Sequence, residues 1–231
     1  MNIQGLQKLT LLDFPGKVAC TLFTGGCNFR CPFCHNAPLV LEPDSAPSIS
    51  DDELFAFLKK RRGLLDGVAI TGGEPTLHPD LPDFIARIRE LGYLIKLDSN
   101  GTSPAMLRRL IENGMVDYIA MDIKNSPALY AATAGLPSLD LGPIRESVSL
   151  LLEGMVDYEF RTTTVKPFHT DESMTEAAQW IAGAKAYYLQ GFVDSGNLIA
   201  GGMEAFTREE LEHFAELIRP CVPTVQIRGV E

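Results

Sequence analysis

Along the 231-residue chain, short apolar runs of strand length alternate with segments in which apolar residues recur every three or four positions. Runs rich in β-branched residues fall at 17–24, 67–71, 93–98, 117–123, 157–165, 186–190 and 224–228, and each predicts a strand. Between them the spacing changes to that of helices. Ser50-Asp51-Asp52-Glu53 reads as a capping box ahead of a face built from Leu54, Phe55 and Leu58. Phe84, Ile85, Ile88 and Leu91 form a second face that stops at Gly92. Ser103 and Pro104 supply an N-cap and a first-turn proline for Met106, Leu107, Leu110 and Ile111, with Gly114 past the end. Ile144, Val148, Leu151 and Leu152 make a fourth face, and Trp180 and Ile181 anchor a fifth. Thr207-Arg208-Glu209-Glu210 caps a sixth that buries Leu211, Phe214 and Ile218.

Strands alternating with helices call for parallel βαβ units with right-handed crossovers, so the fold class is α/β. A full eight-fold barrel typically needs about 250 residues, more than this chain offers once its loops are counted. We therefore expect an open, partial parallel β/α barrel of about six βα units, with ligands at the carboxyl ends of the strands. One domain over residues 1–231 is expected, with a chemical loop at 25–36 and a C-terminal βα extension over about 186–231. The Pro/Ser-rich stretch 41–50 reads as a connecting loop.

Composition narrows the partners. The net charge of −10 and a pI near 4.9 repel polyanions. The one basic run, Lys59-Lys60-Arg61-Arg62, falls at a helix end, where cations are favoured by the dipole and solvated. Nucleic acid is not an expected partner. No signal-peptide pattern opens the chain and no apolar run approaches the roughly 20 residues of a bilayer span, so a cytoplasmic protein without a membrane partner is expected. Three of the five cysteines lie in one loop, which is the wrong arrangement for a secreted disulfide scaffold. Cys20, inside a strand, and Cys221, after Pro220, read as ordinary thiols.

Those three, Cys27, Cys31 and Cys34, follow the first strand in Gly25-Gly26-Cys27-Asn28-Phe29-Arg30-Cys31-Pro32-Phe33-Cys34-His35-Asn36. A structural zinc site would need a fourth ligand; His35 is awkwardly placed next to Cys34, and no second cysteine pair follows. A redox reading of Cys31-Pro32-Phe33-Cys34 leaves Cys27 without a role. Three thiolates can instead hold an iron–sulfur cluster with one iron left open to a ligand. The run, with an aromatic before its last cysteine, resembles the radical S-adenosylmethionine enzymes. The His-Asn that follows is similar to the glycyl-radical-enzyme activases of that superfamily, and Leu12-Asp13-Phe14-Pro15-Gly16-Lys17 to the activating proteins of anaerobic ribonucleoside-triphosphate reductase.

The resemblance implies one 4Fe-4S cluster on Cys27, Cys31 and Cys34, whose open iron binds S-adenosylmethionine. Reductive cleavage to methionine and a 5′-deoxyadenosyl radical would then generate a glycyl radical on a partner enzyme, most closely anaerobic ribonucleotide reductase, with a flavodoxin- or ferredoxin-type electron donor. Activation of another glycyl radical enzyme such as a formate-lyase, or small-molecule chemistry of the deazapurine-synthase kind, are the alternatives within the superfamily. A non-catalytic Fe-S or zinc module is the alternative outside it.

The resemblance places Phe33 along the adenine and has His35 close that pocket. Gly72, Gly73 and Glu74 end the second predicted strand, where glycines let the backbone approach a ligand and Glu74 can accept from an ammonium. Asp98 and Ser99 end the third strand. Asp122 and Lys124 end the fourth and share a face. By the resemblance, Lys124 would hold the methionine carboxylate, while Asp98, Ser99 and Asp122 would order it or a monovalent cation. Arg161 meets a carboxylate of the cofactor or substrate, or pairs with Glu159. Gln190 stands near Phe192, where related activases carry a histidine, and is taken as its substitute. Asp13 is proposed to touch the substrate peptide. His78, His169 and His213 receive no catalytic role.

Overall fold

The alternation of strand and helix patterns is realised as sixteen helices and strands in a computed structural model, which describes residues 1–230 apart from 44, 46 and 195. Positions 44 and 46 belong to the stretch 41–50, so that part of the expected connecting loop lies outside the described residues. In chain order the elements are β1 (Ile3–Thr10), β2 (Ala19–Thr24), α1 (Ala37–Leu41), α2 (Asp51–Arg61), β3 (Gly67–Gly72), α3 (Leu81–Arg89), β4 (Leu94–Ser99), α4 (Pro104–Glu112) and β5 (Tyr118–Asp122). They continue with α5 (Tyr130–Thr133), α6 (Gly142–Leu152), β6 (Asp157–Thr164), α7 (Asp171–Trp180), β7 (Tyr187–Gly191), α8 (Arg208–Ile218) and β8 (Val225–Arg228). The eight strands follow in chain order through one sheet. β2, β3 and β4 pair in parallel, as do β6, β7 and β8. The expected α/β class and parallel strand order are therefore present.

One strand was not expected. β1 pairs antiparallel with β2, with register shifts on either side of Gly5–Gln7. Its sequence, IQGLQKLT, buries only Ile3 and Thr10, so it lacks the apolar run that marks the other strands.

The chain divides into two compact units. The first comprises 1–28, 38–120 and 155–157. Its core is the apolar face of β2, β3 and β4 (Leu22, Val68, Ile70, Ile95, Leu97) under Leu54, Leu58, Ile85, Ile88, Leu107 and Leu110 of α2, α3 and α4, all fully buried. The Ser50 hydroxyl accepts from the Glu53 N–H, which starts α2 where the capping pattern placed it. The second unit comprises 29–37, 121–154 and 158–231. Here Phe160, Tyr187 and Leu189 are buried on the sheet, and Thr170 and Thr207 close full capping boxes on α7 and α8.

In the second unit, Glu159 of β6 is fully buried and accepts both guanidinium nitrogens of Arg228 of β8, at 2.8 and 3.0 Å. Arg228 also lies 3.4 Å over the Tyr188 ring of β7. One bidentate, stacked pair thus spans three strands. Arg161, for which Glu159 was one expected partner, donates to Asp122.

Candidate functional site

In the first unit, β2 delivers the start of the cysteine loop and β3 delivers the turn Gly72-Gly73-Glu74. The two are laced by backbone hydrogen bonds: Gly73 N–H donates to Thr24 O and Glu74 N–H to Gly26 O, both at 2.8 Å. A Cβ on Gly73 would stand 1.9 Å from the Gly26 oxygen, and one on Gly72, at φ +113°, 2.4 Å from the Thr24 nitrogen. On the Cβ side the space beside these glycines is filled by the backbone of β2 and of the cysteine loop, so a side chain does not fit there. His78 has a structural task here, its Nε2 donating to Gly25 O at 3.0 Å.

The Glu74 carboxylate is buried and already engaged. Oε1 accepts the Thr76 N–H at 3.0 Å, the Thr76 hydroxyl at 2.5 Å and the Ser99 hydroxyl at 2.9 Å, while Oε2 accepts the Asn100 N–H at 2.6 Å. Burial pushes this carboxyl above its ordinary value, against hydrogen bonds from Thr76, Asn100 and Ser99 that pull it down. Its carboxylate ties the β3 turn to the end of β4.

Beyond β4, the Asn100 amide donates to Asn28 Oδ1 at 2.8 Å and lies 3.9 Å from Cys27 Sγ. Asn28 donates to the Thr102 hydroxyl at 2.9 Å, and that hydroxyl donates to Asn100 Oδ1 at 2.7 Å. Sequence reasoning missed Asn28, Asn100 and Thr102, which together fix Cys27 in this unit; the signal available was the run of short polar residues after a strand end. Lys96 was also missed. It is buried on β4, and its ammonium bonds to Asp98. Asp13 is half-buried and accepts the Thr21 hydroxyl at 2.5 Å, and Leu11 and Leu12 beside it are exposed.

In the second unit the rest of the loop is seated on the α5 turn. Arg30 N–H donates to Ala134 O at 2.9 Å, and a Cβ on Gly135 would come within 1.9 Å of Arg30 O. Phe29 meets the buried Tyr130 edge-on at 6.4 Å. Cys31 is buried and Cys34 half-buried, with the Cys34 N–H on Cys31 O at 3.0 Å. Burial raises both thiols above the ordinary value; the backbone N–H of Asn36 works against this at Cys34, and the Lys124 ammonium at both. Phe33 is buried against Phe168 at 6.0 Å, and His35 lies 5.8 Å from Phe192. Burial lowers the His35 pKa.

At the end of β5, Asp122 accepts Arg161 Nε at 2.5 Å and Lys124 Nζ at 2.8 Å. Burial works to raise this carboxyl, but the guanidinium and then the ammonium outweigh it and hold Asp122 well below the usual carboxylate range. The Lys124 carbonyl accepts His169 Nε2–H at 2.9 Å, while the Val165 N–H donates to His169 Nδ1 at 3.1 Å. His169 is thus a buried, neutral strut. Gln190 stands half-buried on β7 in register with Thr163 and Arg228. A cavity of about 770 Å³ lined by His169, Asp171, Phe206 and Phe214 contains none of the cysteines.

Residues 21–181 match the family model described as the Radical SAM superfamily. The chain belongs to the radical SAM superfamily. It is similar to a Methanocaldococcus jannaschii protein provisionally named a glycyl-radical enzyme activating enzyme, at 31% identity over 199 residues, covering 82% of this chain and 79% of that one. It is also similar to a pyruvate formate-lyase-activating enzyme of Clostridium pasteurianum, at 27% identity over 54% of this chain and 52% of the relative. The fold of Streptococcus suis SuiB, solved with its precursor peptide SuiA, superposes with a TM-score of 0.71 at 13% identity, over 90% of this chain and 48% of that one. As a radical SAM enzyme, the chain takes a 4Fe-4S cluster and S-adenosylmethionine. Its donor chemistry suits them: three thiols in eight residues, none in a disulfide, and a buried ammonium beside Asp98. No helix among the described residues is long and apolar enough to cross a membrane.

Proposed function

We propose that the chain is a glycyl-radical-enzyme activase working as one domain over residues 1–231, with anaerobic ribonucleoside-triphosphate reductase as its partner. The observation that carries the reading is the three-thiol loop inside the matched region 21–181, together with the similarity to an activating enzyme over 79% of that relative's length. Leu12-Asp13-Phe14-Pro15-Gly16-Lys17 is what directs the proposal toward the reductase. A formate-lyase is the second candidate partner, favoured by the match to the Clostridium pasteurianum enzyme.

Cys27, Cys31 and Cys34 hold the cluster in this proposal. When bound, the cluster and S-adenosylmethionine supply reductive cleavage of a sulfonium bond and abstraction of a hydrogen atom from a glycine of the partner. The chain's own residues bind and orient. Gly72, Gly73 and Glu74 present the methionine end, with the Glu74 carboxylate fixing the turn to Ser99 and Asn100. Lys124, held by Asp122, and Arg161 set positive charge for a carboxylate. Phe33, His35 and Gln190 bound the nucleoside, and Asp13 meets the partner's peptide. The electron donor is of the flavodoxin or ferredoxin type, and a cytoplasmic setting suits a reduced cluster.

Three measurements test this. Anaerobically reconstituted protein should bind about one four-iron cluster, and Cys27→Ala, Cys31→Ala or Cys34→Ala should lose it. Cleavage of S-adenosylmethionine by those variants under reduction would sink the assignment. Mixing the reduced protein and S-adenosylmethionine with candidate reductases should give a glycine-centred doublet by electron spin resonance. Turnover of a small molecule with no protein partner would overturn the activase reading.

A further inference from the structure

Both carboxylates expected to order a monovalent cation already carry one of the protein's own cations. In the second unit Asp122 is bonded by Lys124 and Arg161. In the first unit Asp98 is bonded by Lys96, whose side chain is only 3% exposed. Ser99, the third expected ligand, uses its hydroxyl to donate to Glu74 Oε1 at 2.9 Å and to accept the Gly101 N–H at 3.0 Å.

Lys96 is also under-used. An ammonium has three protons to donate, and among the described residues one goes to Asp98 and no other acceptor meets the nitrogen. A buried cation with donors to spare is unfavourable unless a ligand completes it. Its position suits such a ligand. Lys96 stands two residues before Asp98 on the same face of β4, and its four-carbon stem carries the charge toward the carboxyl end of the strand, where ligands gather in parallel sheets.

We infer that Lys96 is the resident cation of the cofactor site: its ammonium, fixed on Asp98, stands in for a monovalent metal ion and donates its remaining protons to the α-carboxylate of S-adenosylmethionine. This rests on the radical SAM reading of the site. With Lys96 on Asp98, and Lys124 and Arg161 on Asp122, a metal ion at either carboxylate would meet the repulsion of a cation already in place, so the protein binds its cofactor without sodium or potassium. Lys96 acts by charge and position and takes no part in bond breaking.

The test is S-adenosylmethionine binding to the full, anaerobically reconstituted chain, measured by equilibrium dialysis and by the change in the reduced cluster's electron spin resonance spectrum. Titrations run in choline, sodium and potassium chloride at equal ionic strength. The native protein should give the same Kd in all three within a factor of about two. Lys96→Met should weaken binding in choline chloride at least tenfold and recover part of it when potassium or sodium is added. Native binding that tightens tenfold with either metal ion overturns the inference, as does unchanged binding by Lys96→Met in choline. If Lys96→Met does not retain iron, the native salt series decides alone. A native protein that holds four irons yet ignores S-adenosylmethionine in every salt overturns the radical SAM reading as well. Salt dependence in a protein that does respond overturns only the role of Lys96.

Discussion

Replacing Asp122 by Asn keeps the shape of the side chain and removes its charge. In the native chain Arg161 Nε and Lys124 Nζ donate to its two oxygens at 2.5 and 2.8 Å, and the three side chains are 15–24% exposed. An Asn can still accept from Arg161. Its NH₂ then faces the Lys124 ammonium, donor against donor. Removing one partner of a buried pair costs about 3–5 kcal/mol, and because these groups keep some access to water we take about 3 kcal/mol. For a chain of this size that is a fall in Tm of about 6–12 °C.

The pH dependence separates the charge effect from a packing defect. Because the folded-state pKa of Asp122 is depressed, its contribution to stability is present above the unfolded value of about 3.9 and is lost as pH falls through the folded value. The gap between the native chain and Asp122→Asn should therefore be full at neutral pH and narrow below about pH 4. Urea unfolding of the metal-free chain, followed by circular dichroism across that range, measures it. A neutral-pH difference under about 1 kcal/mol, the level of a surface pair, refutes the reasoning. So does a difference that does not change with pH.

Gly73→Ala should lower Tm by more than about 5 °C, because the new methyl would meet the Gly26 carbonyl at 1.9 Å and the loop must move; Gly201→Ala, with nothing within 4 Å, is the neutral control in the same melt. Burial depresses the His169 pKa, so the unfolded chain takes up a proton below about pH 6.5 that the folded chain refuses. Stability should fall on acidification from that point, with a slope of up to about 1.4 kcal/mol per pH unit from this residue. His169→Gln should be less stable at pH 7 and lose that slope, and an unchanged slope in the variant would assign the effect elsewhere.

What was legible in the sequence follows from how local each signal is. The seven strands after β1 announce themselves because they are buried on the helix-facing side, so Leu22, Ile70, Leu97 and Leu189 sit in recognisable runs. β1 does not, since five of its eight residues stay polar or glycine and its pairing is fixed by β2 rather than by its own pattern. The thiols were legible by spacing alone. Their supports were not: the Arg30–Ala134 and Gly135–Arg30 contacts join segments about a hundred residues apart in sequence, and nothing in either segment names the other. For Arg161 the expected partners were a ligand carboxylate or Glu159; its bond to Asp122, 39 residues away, was not foreseen, nor was that of Glu159 to Arg228 from β8, 69 residues away. His78 and His169, set aside as non-catalytic, do have tasks, as struts on the Gly25 and Lys124 carbonyls.

The two acidic strand ends differ from the Glu159–Arg228 pair in how their charge is balanced. Asp98 has its ammonium two residues earlier on β4, and Asp122 has one two residues later. Positions two apart on an extended strand share a face at roughly 7 Å, a distance a lysine stem spans easily. Such a pair assembles as soon as the strand is extended, before any distant segment docks. Glu159 must wait for β8. The local pairs therefore desolvate their cations as part of folding rather than as part of ligand binding. An arriving carboxylate meets donors whose hydration has already been removed and whose position is already set, which is the condition under which fixed charges hold a ligand with least reorganisation. On that reasoning Lys96 and Lys124, each on its own strand, present their charge already desolvated and fixed for the same physical reason, although only Lys124 was visible from the family pattern.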